Sequence, residues 1–263
     1  MPDFFPVLSA VPMNPTKMHC LWIAALFGWV LALVLLVLIT PRIIRKFTAQ
    51  LPSSRPANWS SILQTKIDDV SGCRWTDSRP LYVFAGDSHV EMGDWYSLFR
   101  GRFAVRNCGL SGAGIEDVDA IVSSIPNQKV QCLILMCGIN DLTSGVAVSD
   151  CMESYKRLLH SGQCHSAIQS LAAVSIMPVR SSPIDSRSHA VNREVAKFNE
   201  QLKRICSESN VKFIDVSGTF STNGGSLPMD FTQDGLHLNA KGYRVLADRL
   251  SASINQVGQL PTP

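Results

Sequence analysis

Four short stretches of the 263-residue chain carry side chains that could do chemistry together. Gly86-Asp87-Ser88 follows an apolar run at residues 81–85, bounded by Pro80 and Gly86 in the manner of a buried parallel strand. A serine placed where such a strand breaks into a turn stands at the C-terminal edge of the sheet, where open α/β sheets bind ligands, so Ser88 is a candidate nucleophile. Gly, Asp and Ser are also ordinary turn and cap residues, and the triplet alone does not carry the assignment. The second stretch, residues 107–114, holds Gly109, Gly112 and Gly114, a spacing that departs from the Gly-x-Gly-x-x-Gly of dinucleotide loops. The third, Gly138-Ile139-Asn140-Asp141, follows the apolar run 130–137. The fourth, residues 234–239, places Asp234 three positions before His237. Each has a plain account as a turn, cap or loop. Together a hydroxyl, an imidazole, carboxylates and an amide supply the parts of an acyl-transfer site.

The elements that must position them are legible as an alternation. Strand-like runs at 81–85, 103–106, 130–137, 170–176 and 212–216 are separated by segments of helical spacing, clearest in Val191, Val195, Phe198, Leu202 and Ile205. The last helix is expected over about 240–254, with Asn239 as its N-cap and Tyr243, Leu246, Leu250 and Ile254 on one face. Strands alternating with helices predict a three-layer α/β/α domain around a parallel sheet of about five strands, spanning residues 80–255 with a short tail at 256–263.

The N-terminal third reads differently. Residues 1–19 form a proline-interrupted tail, and no charge occurs between His19 and Arg42. An apolar helix over 20–40 would span about 30 Å, the thickness of the hydrocarbon core, which predicts an uncleaved single-pass membrane anchor in a lipid bilayer. Thr40-Pro41-Arg42 is no small-residue cleavage site. Arg42, Arg45 and Lys46 follow the span and tip the positive-inside rule slightly toward a cytoplasmic domain. Residues 41–79 are expected to act as a juxtamembrane linker with a short helix near 60–70.

Composition narrows the function classes. The net charge is +3, from 24 basic and 21 acidic residues, without a basic block of nucleic-acid-binding size. The eight cysteines lack Cys-x-x-Cys or His/Cys ligand spacing, so neither a zinc site nor a disulfide framework is predicted, and Cys132 and Cys137 read as small buried hydrophobes.

Gly86-Asp87-Ser88, Asn107-x-Gly109-x-x-Gly112, Gly138-x-Asn140-Asp141 and Asp234-x-x-His237 occur in the order and strand positions of the SGNH (GDSL-type) hydrolase superfamily, which residues 80–255 resemble. Residues 93–99, rich in aromatics, resemble its acetylhydrolase-like branch. His89 stands where a hydrophobic residue commonly follows the serine. The resemblance implies a flavodoxin-like fold and a serine esterase acting on a small-molecule ester without metal or organic cofactor. It implies Ser88 as nucleophile, His237 as base, Asp234 as the partner of its imidazole, and an oxyanion hole of the Ser88 and Gly112 main-chain N–H groups and the Asn140 amide. Asp87 and Asp141 are expected to accept local main-chain N–H groups, and His89 to lie at a pocket rim or in solvent. An acyltransferase with the same triad, or an inactive membrane-anchored binding module of the same fold, are the competing readings. Oligomeric state is not legible.

Overall fold

The computed structural model describes Trp29 and residues 55–181, 186–222 and 224–257, the last three by their backbone alone. The expected membrane helix at 20–40 and the tail at 1–19 lie outside the described residues, Trp29 apart. Among the described residues no helix is long and apolar enough to cross a membrane. The chain divides into two units, Met1–Pro52 and Ser53–Pro263.

In the second unit, five short apolar runs form one sheet: β1 (Leu81–Gly86), β2 (Ala104–Gly109), β3 (Cys132–Met136), β4 (Leu171–Val174) and β5 (Lys212–Ile214). All pairings are parallel and the order is β2-β1-β3-β4-β5. The helices in chain order are α1 (Trp59–Gly72), α2 (Ser88–Glu91), α3 (Trp95–Leu98), α4 (Ile115–Ser123), α5 (Ile139–Thr143), α6 (Val148–Cys164), α7 (Ser186–Glu208) and α8 (Ala240–Val257).

Side chains alternate across a strand, so β1 splits its core between two faces. Leu81, Val83 and Ala85 pack with Leu133, Leu135 and Ala173 beneath α1, α4, α6 and α7. Tyr82 and Phe84 pack with Ile134, Met136 and Val174 beneath the Trp95–Phe99 segment and Tyr243, Leu246, Leu250 and Ile254 of α8. The expected helical face of α7 is observed, with Val195, Phe198, Leu202 and Ile205 all buried. Asn239 caps α8 as expected, its Oδ1 accepting from the Lys241 and Gly242 N–H groups at 3.0 Å.

The linker expectation needs correction. α1 is more than a spacer: Val70 is fully buried, and Trp59, Ile62, Leu63 and Ile67 pack against the same core as β1 and β3. The Trp59 indole and the Arg55 guanidinium both donate to the Asp117 carboxylate in the first turn of α4. The apolar residues at 59, 62, 63, 67 and 70 recur about once per turn, a helical stripe that needs a partner surface.

The order 2-1-3-4-5 has its switch point between β1 and β3, since the chain leaves β1 toward β2 and returns on the other side at β3. A crevice therefore opens at the C-terminal ends of β1 and β3, where the loops on either side diverge.

Candidate active site

The nucleophile turn begins where β1 ends. Gly86 lies so close to its β3 partner that a Cβ would stand 2.0 Å from the Met136 carbonyl oxygen, which requires glycine. Asp87 then caps α2, its side chain accepting from the His89 main-chain N–H at 2.9 Å. Ser88 opens that helix and is buried. Packing and hydrogen bonds pin the turn from below. Trp95 is buried, stacks on Phe84 at 4.5 Å and donates from its indole to the Val90 carbonyl at 2.8 Å. The Asn107 amide donates to the carbonyls of Val90, Glu91 and Gly93 at 2.9, 3.0 and 3.2 Å, while its oxygen accepts from Gly109 N–H.

The second stretch joins the first through Glu91, whose carboxylate accepts from the Ser111 main-chain N–H at 2.8 Å. Gly112 follows with φ +85°, a left-handed conformation that glycine adopts without steric cost. Asn140, in α5 after β3, donates from Nδ2 to the Ala113 carbonyl at 2.9 Å, so this amide is oriented by the residue next to Gly112. Gly112 and Asn140 both line a cavity of about 420 Å³ that Arg55, Asp117 and Asp141 also border. Asp141 accepts the Ile115 main-chain N–H of α4 at 3.2 Å, a main-chain partner as expected but 26 residues away rather than local. Burial pushes its carboxyl up to about 6, against the lowering effect of that hydrogen bond and of Arg55.

The fourth stretch closes over the turn. His237 Nε2 lies 3.0 Å from Ser88 Oγ, and its Nδ1 lies 2.6 Å from Asp234 Oδ2. The other oxygen of Asp234 accepts the Leu236 and His237 main-chain N–H groups at 2.9 and 2.8 Å, so one carboxylate orients both the imidazole and the backbone that carries it. Partial burial works to raise the Asp234 carboxyl. The hydrogen bonds from the His237 ring and from those two N–H groups outweigh it and hold the group well below the usual carboxylate range. Ser88, Asp234 and His237 are thus brought together by side-chain contact, while Gly112 and Asn140 meet along the cavity wall.

His89 departs from expectation. Its side chain is 6 % exposed, with Nδ1 3.3 Å from Asp87 Oδ1 and Nε2 3.0 Å from the Leu236 carbonyl oxygen. It is a buried, hydrogen-bonded residue rather than a rim or solvated one, because the residues 234–239 fold over it. Only the polar character of a histidine after the serine hinted at this. Trp95 and Asn107 were likewise not singled out as supports of the turn, although both lie in stretches the sequence marked. Among the described residues, no group of three or more His, Cys, Asp or Glu side chains is placed to hold a metal ion, and every described cysteine is a free thiol.

A parallel α/β/α sandwich with these residues at its switch point is the frame of SGNH-type esterases. The profile of the GDSL-like lipase/acylhydrolase family matches residues 76–245, and the chain belongs to that family of ester-hydrolysing enzymes. Its sequence is 23% identical over 188 residues to the platelet-activating factor acetylhydrolase IB subunit alpha2 of Rattus norvegicus, covering 69% of this chain and 79% of the relative. A GDSL-like lipase from Bacteroides thetaiotaomicron superposes with a TM-score of 0.61 at 13% identity, over 74% of this chain and 97% of the other. An acetylxylan esterase from Geobacillus stearothermophilus does so with a TM-score of 0.54 at 17% identity, over 69% and 96%.

Proposed function

We propose that the chain is a serine esterase for small acyl esters, acetyl esters of a lipid or sugar foremost, working through Ser88, His237 and Asp234. The observation that carries this reading is the continuous hydrogen-bonded line from Ser88 Oγ through His237 to Asp234, at 3.0 and 2.6 Å. A serine hydroxyl is a weak nucleophile at neutral pH and needs a base within this distance. With Asp234 accepting from Nδ1–H, the Nε2 lone pair faces the hydroxyl, which is the tautomer that a base requires. As Ser88 Oγ bonds to the ester carbonyl carbon, its proton passes to Nε2. The intermediate collapses, the alkoxide leaves with that proton, and water repeats the sequence on the acyl-enzyme to release the acid and free Ser88.

Charge on the carbonyl oxygen is assigned to three donors: the Ser88 N–H, the Gly112 N–H and the Asn140 amide. The shared cavity wall of Gly112 and Asn140, and the use of only one Asn140 N–H by Ala113, support that part. The acetyl preference is supported by the names of two relatives, one an acetylhydrolase and one an acetylxylan esterase. An inactive binding module has no need of the complete line.

A fluorophosphonate probe and a series of acyl esters on the full-length chain test the reading. Ser88→Ala is expected to abolish labelling and turnover. Asn140→Ala should keep labelling but lower kcat on the order of 100- to 1,000-fold with KM little changed. Labelling that persists without Ser88 would sink the nucleophile assignment.

We further propose that residues 20–40 anchor the enzyme as a single membrane-spanning helix with the esterase domain on the cytoplasmic side. The uncharged run between His19 and Arg42, and the basic residues after it, support this. Release of the chain from membranes by alkaline carbonate would remove the anchor, and digestion of the domain by protease outside sealed cells would reverse its side.

A further inference from the structure

The mechanism gives no task to the buried imidazole next to Ser88. His89 sits in the nucleophile turn with an acceptor at each ring nitrogen, the Asp87 carboxylate at Nδ1 and the Leu236 carbonyl at Nε2. A neutral imidazole has one N–H and can serve only one of them, whereas an imidazolium serves both. The second contact has a particular consequence. Leu236 C=O and His237 N–H belong to the same peptide unit. Its N–H is taken by Asp234 at 2.8 Å and its C=O by His89 at 3.0 Å, so the unit from which His237 hangs is held on both sides.

We propose that His89 is a positioning residue: an imidazolium clamped between Asp87 and the Leu236 carbonyl, it locks the loop carrying His237 onto the turn carrying Ser88. This rests on the assignment of His237 as the base. The bond runs beside the Ser88 to His237 contact, joins the same two segments 147 residues apart, and involves no group that reacts. It therefore keeps the base in place while the serine is acylated and its own bond to His237 is absent. A displacement of about 1 Å can cost on the order of 100-fold in rate, so such a tie matters.

The surroundings agree with a charged ring. Asp87 lies on the same turn; Asp234 and His237 face it from the closing loop, the two imidazole centroids 5.8 Å apart; from α8, Tyr243 donates its hydroxyl to the His89 carbonyl at 3.0 Å. Burial pushes the His89 imidazole down. The hydrogen bond and charge of Asp87, with the Leu236 carbonyl and the Asp234 charge, overcome it and leave the group above its ordinary value.

His89→Gln keeps an amide N–H for Leu236 but carries no charge, and His89→Leu keeps neither. In the full-length chain, with active sites counted by fluorophosphonate, His89→Leu is expected to lower kcat per labelled site on the order of 10- to 100-fold with KM little moved, and His89→Gln to recover most of that. Nitrogen-labelled histidine spectra should show the wild-type His89 ring protonated at both nitrogens. A residue that merely fills space would lower the melting temperature and change neither readout. Unchanged kcat per site in both variants, or a His89 ring bearing a single N–H, overturns the clamp. A wild-type chain that fails to label would sink the esterase reading, while the ring-nitrogen spectra still judge His89 separately.

Discussion

The two halves of the site are built by different means. The nucleophile turn is buried and packed: Ser88 and Asp87 are almost wholly covered, Trp95 and Phe84 stack beneath them, and Asn107 takes three carbonyls around the turn. The loop of Asp234 and His237 is half in solvent, with the His237 side chain 29 % and the Asp234 side chain 53 % exposed; Leu236 and Leu238 seat it on the core, while hydrogen bonds aim its polar side chains. A packed element gains stability from every neighbour, so damage to it is felt as unfolding. The polar contacts that aim side chains in a half-exposed loop add little to stability, yet each decides a direction. The base can therefore be misaimed without the protein noticing.

Asp234→Asn gives the sharpest test of that contrast. It leaves the packing untouched but allows the imidazole the wrong tautomer, and kcat is expected to fall on the order of 10,000-fold, with a loss of melting temperature smaller than that of a core substitution. The pH profile sharpens it further. A carboxyl held below its ordinary range in the folded state contributes stability above its unfolded value of 3.8, lost only as pH falls through the lower folded value. The acid limb of kcat/KM in the wild type is thus not expected to follow Asp234. A large loss of stability in this variant would break the comparison. Trp95→Ala tests the opposite half: removal of a fully packed indole should cost about 3–5 kcal/mol of stability, read by denaturant unfolding, with kcat per labelled site nearly intact in molecules that fold. Equal kcat losses in both variants would show that the two halves are not separate.

Much of this was readable from the chain because strands and their C-terminal turns are local events. The apolar runs before Asp87, Asn107 and Gly138 mark where buried strands stop, and the three-residue spacing of Asp234 and His237 places both in one loop. What lay beyond reach was set by partners far along the chain. His89 looks like a solvent-facing residue until Leu236 folds over it, and the stripe of α1 looks like a spacer until α4 supplies Asp117 and a core. The strand limits also shifted: the run at 130–137 yields a strand only over Cys132–Met136, with Val130 in an isolated bridge to Ile168, because the ladder to β1 runs only from Tyr82 opposite Cys132 to Gly86 opposite Met136.

The distance in sequence between the serine and its base has a meaning for the chain as it is made. Ser88 precedes His237 by 149 residues, and α8, whose Tyr243 hydroxyl donates to the His89 carbonyl beside Ser88, comes later still. On the proposed mechanism, a nascent chain carries its serine through the synthesis of these intervening residues with no base to activate it, and gains reactivity only when the segment bearing His237 docks. Reactivity toward a serine-directed probe would then report that this distant segment has folded into place, and a chain frayed there would be chemically silent.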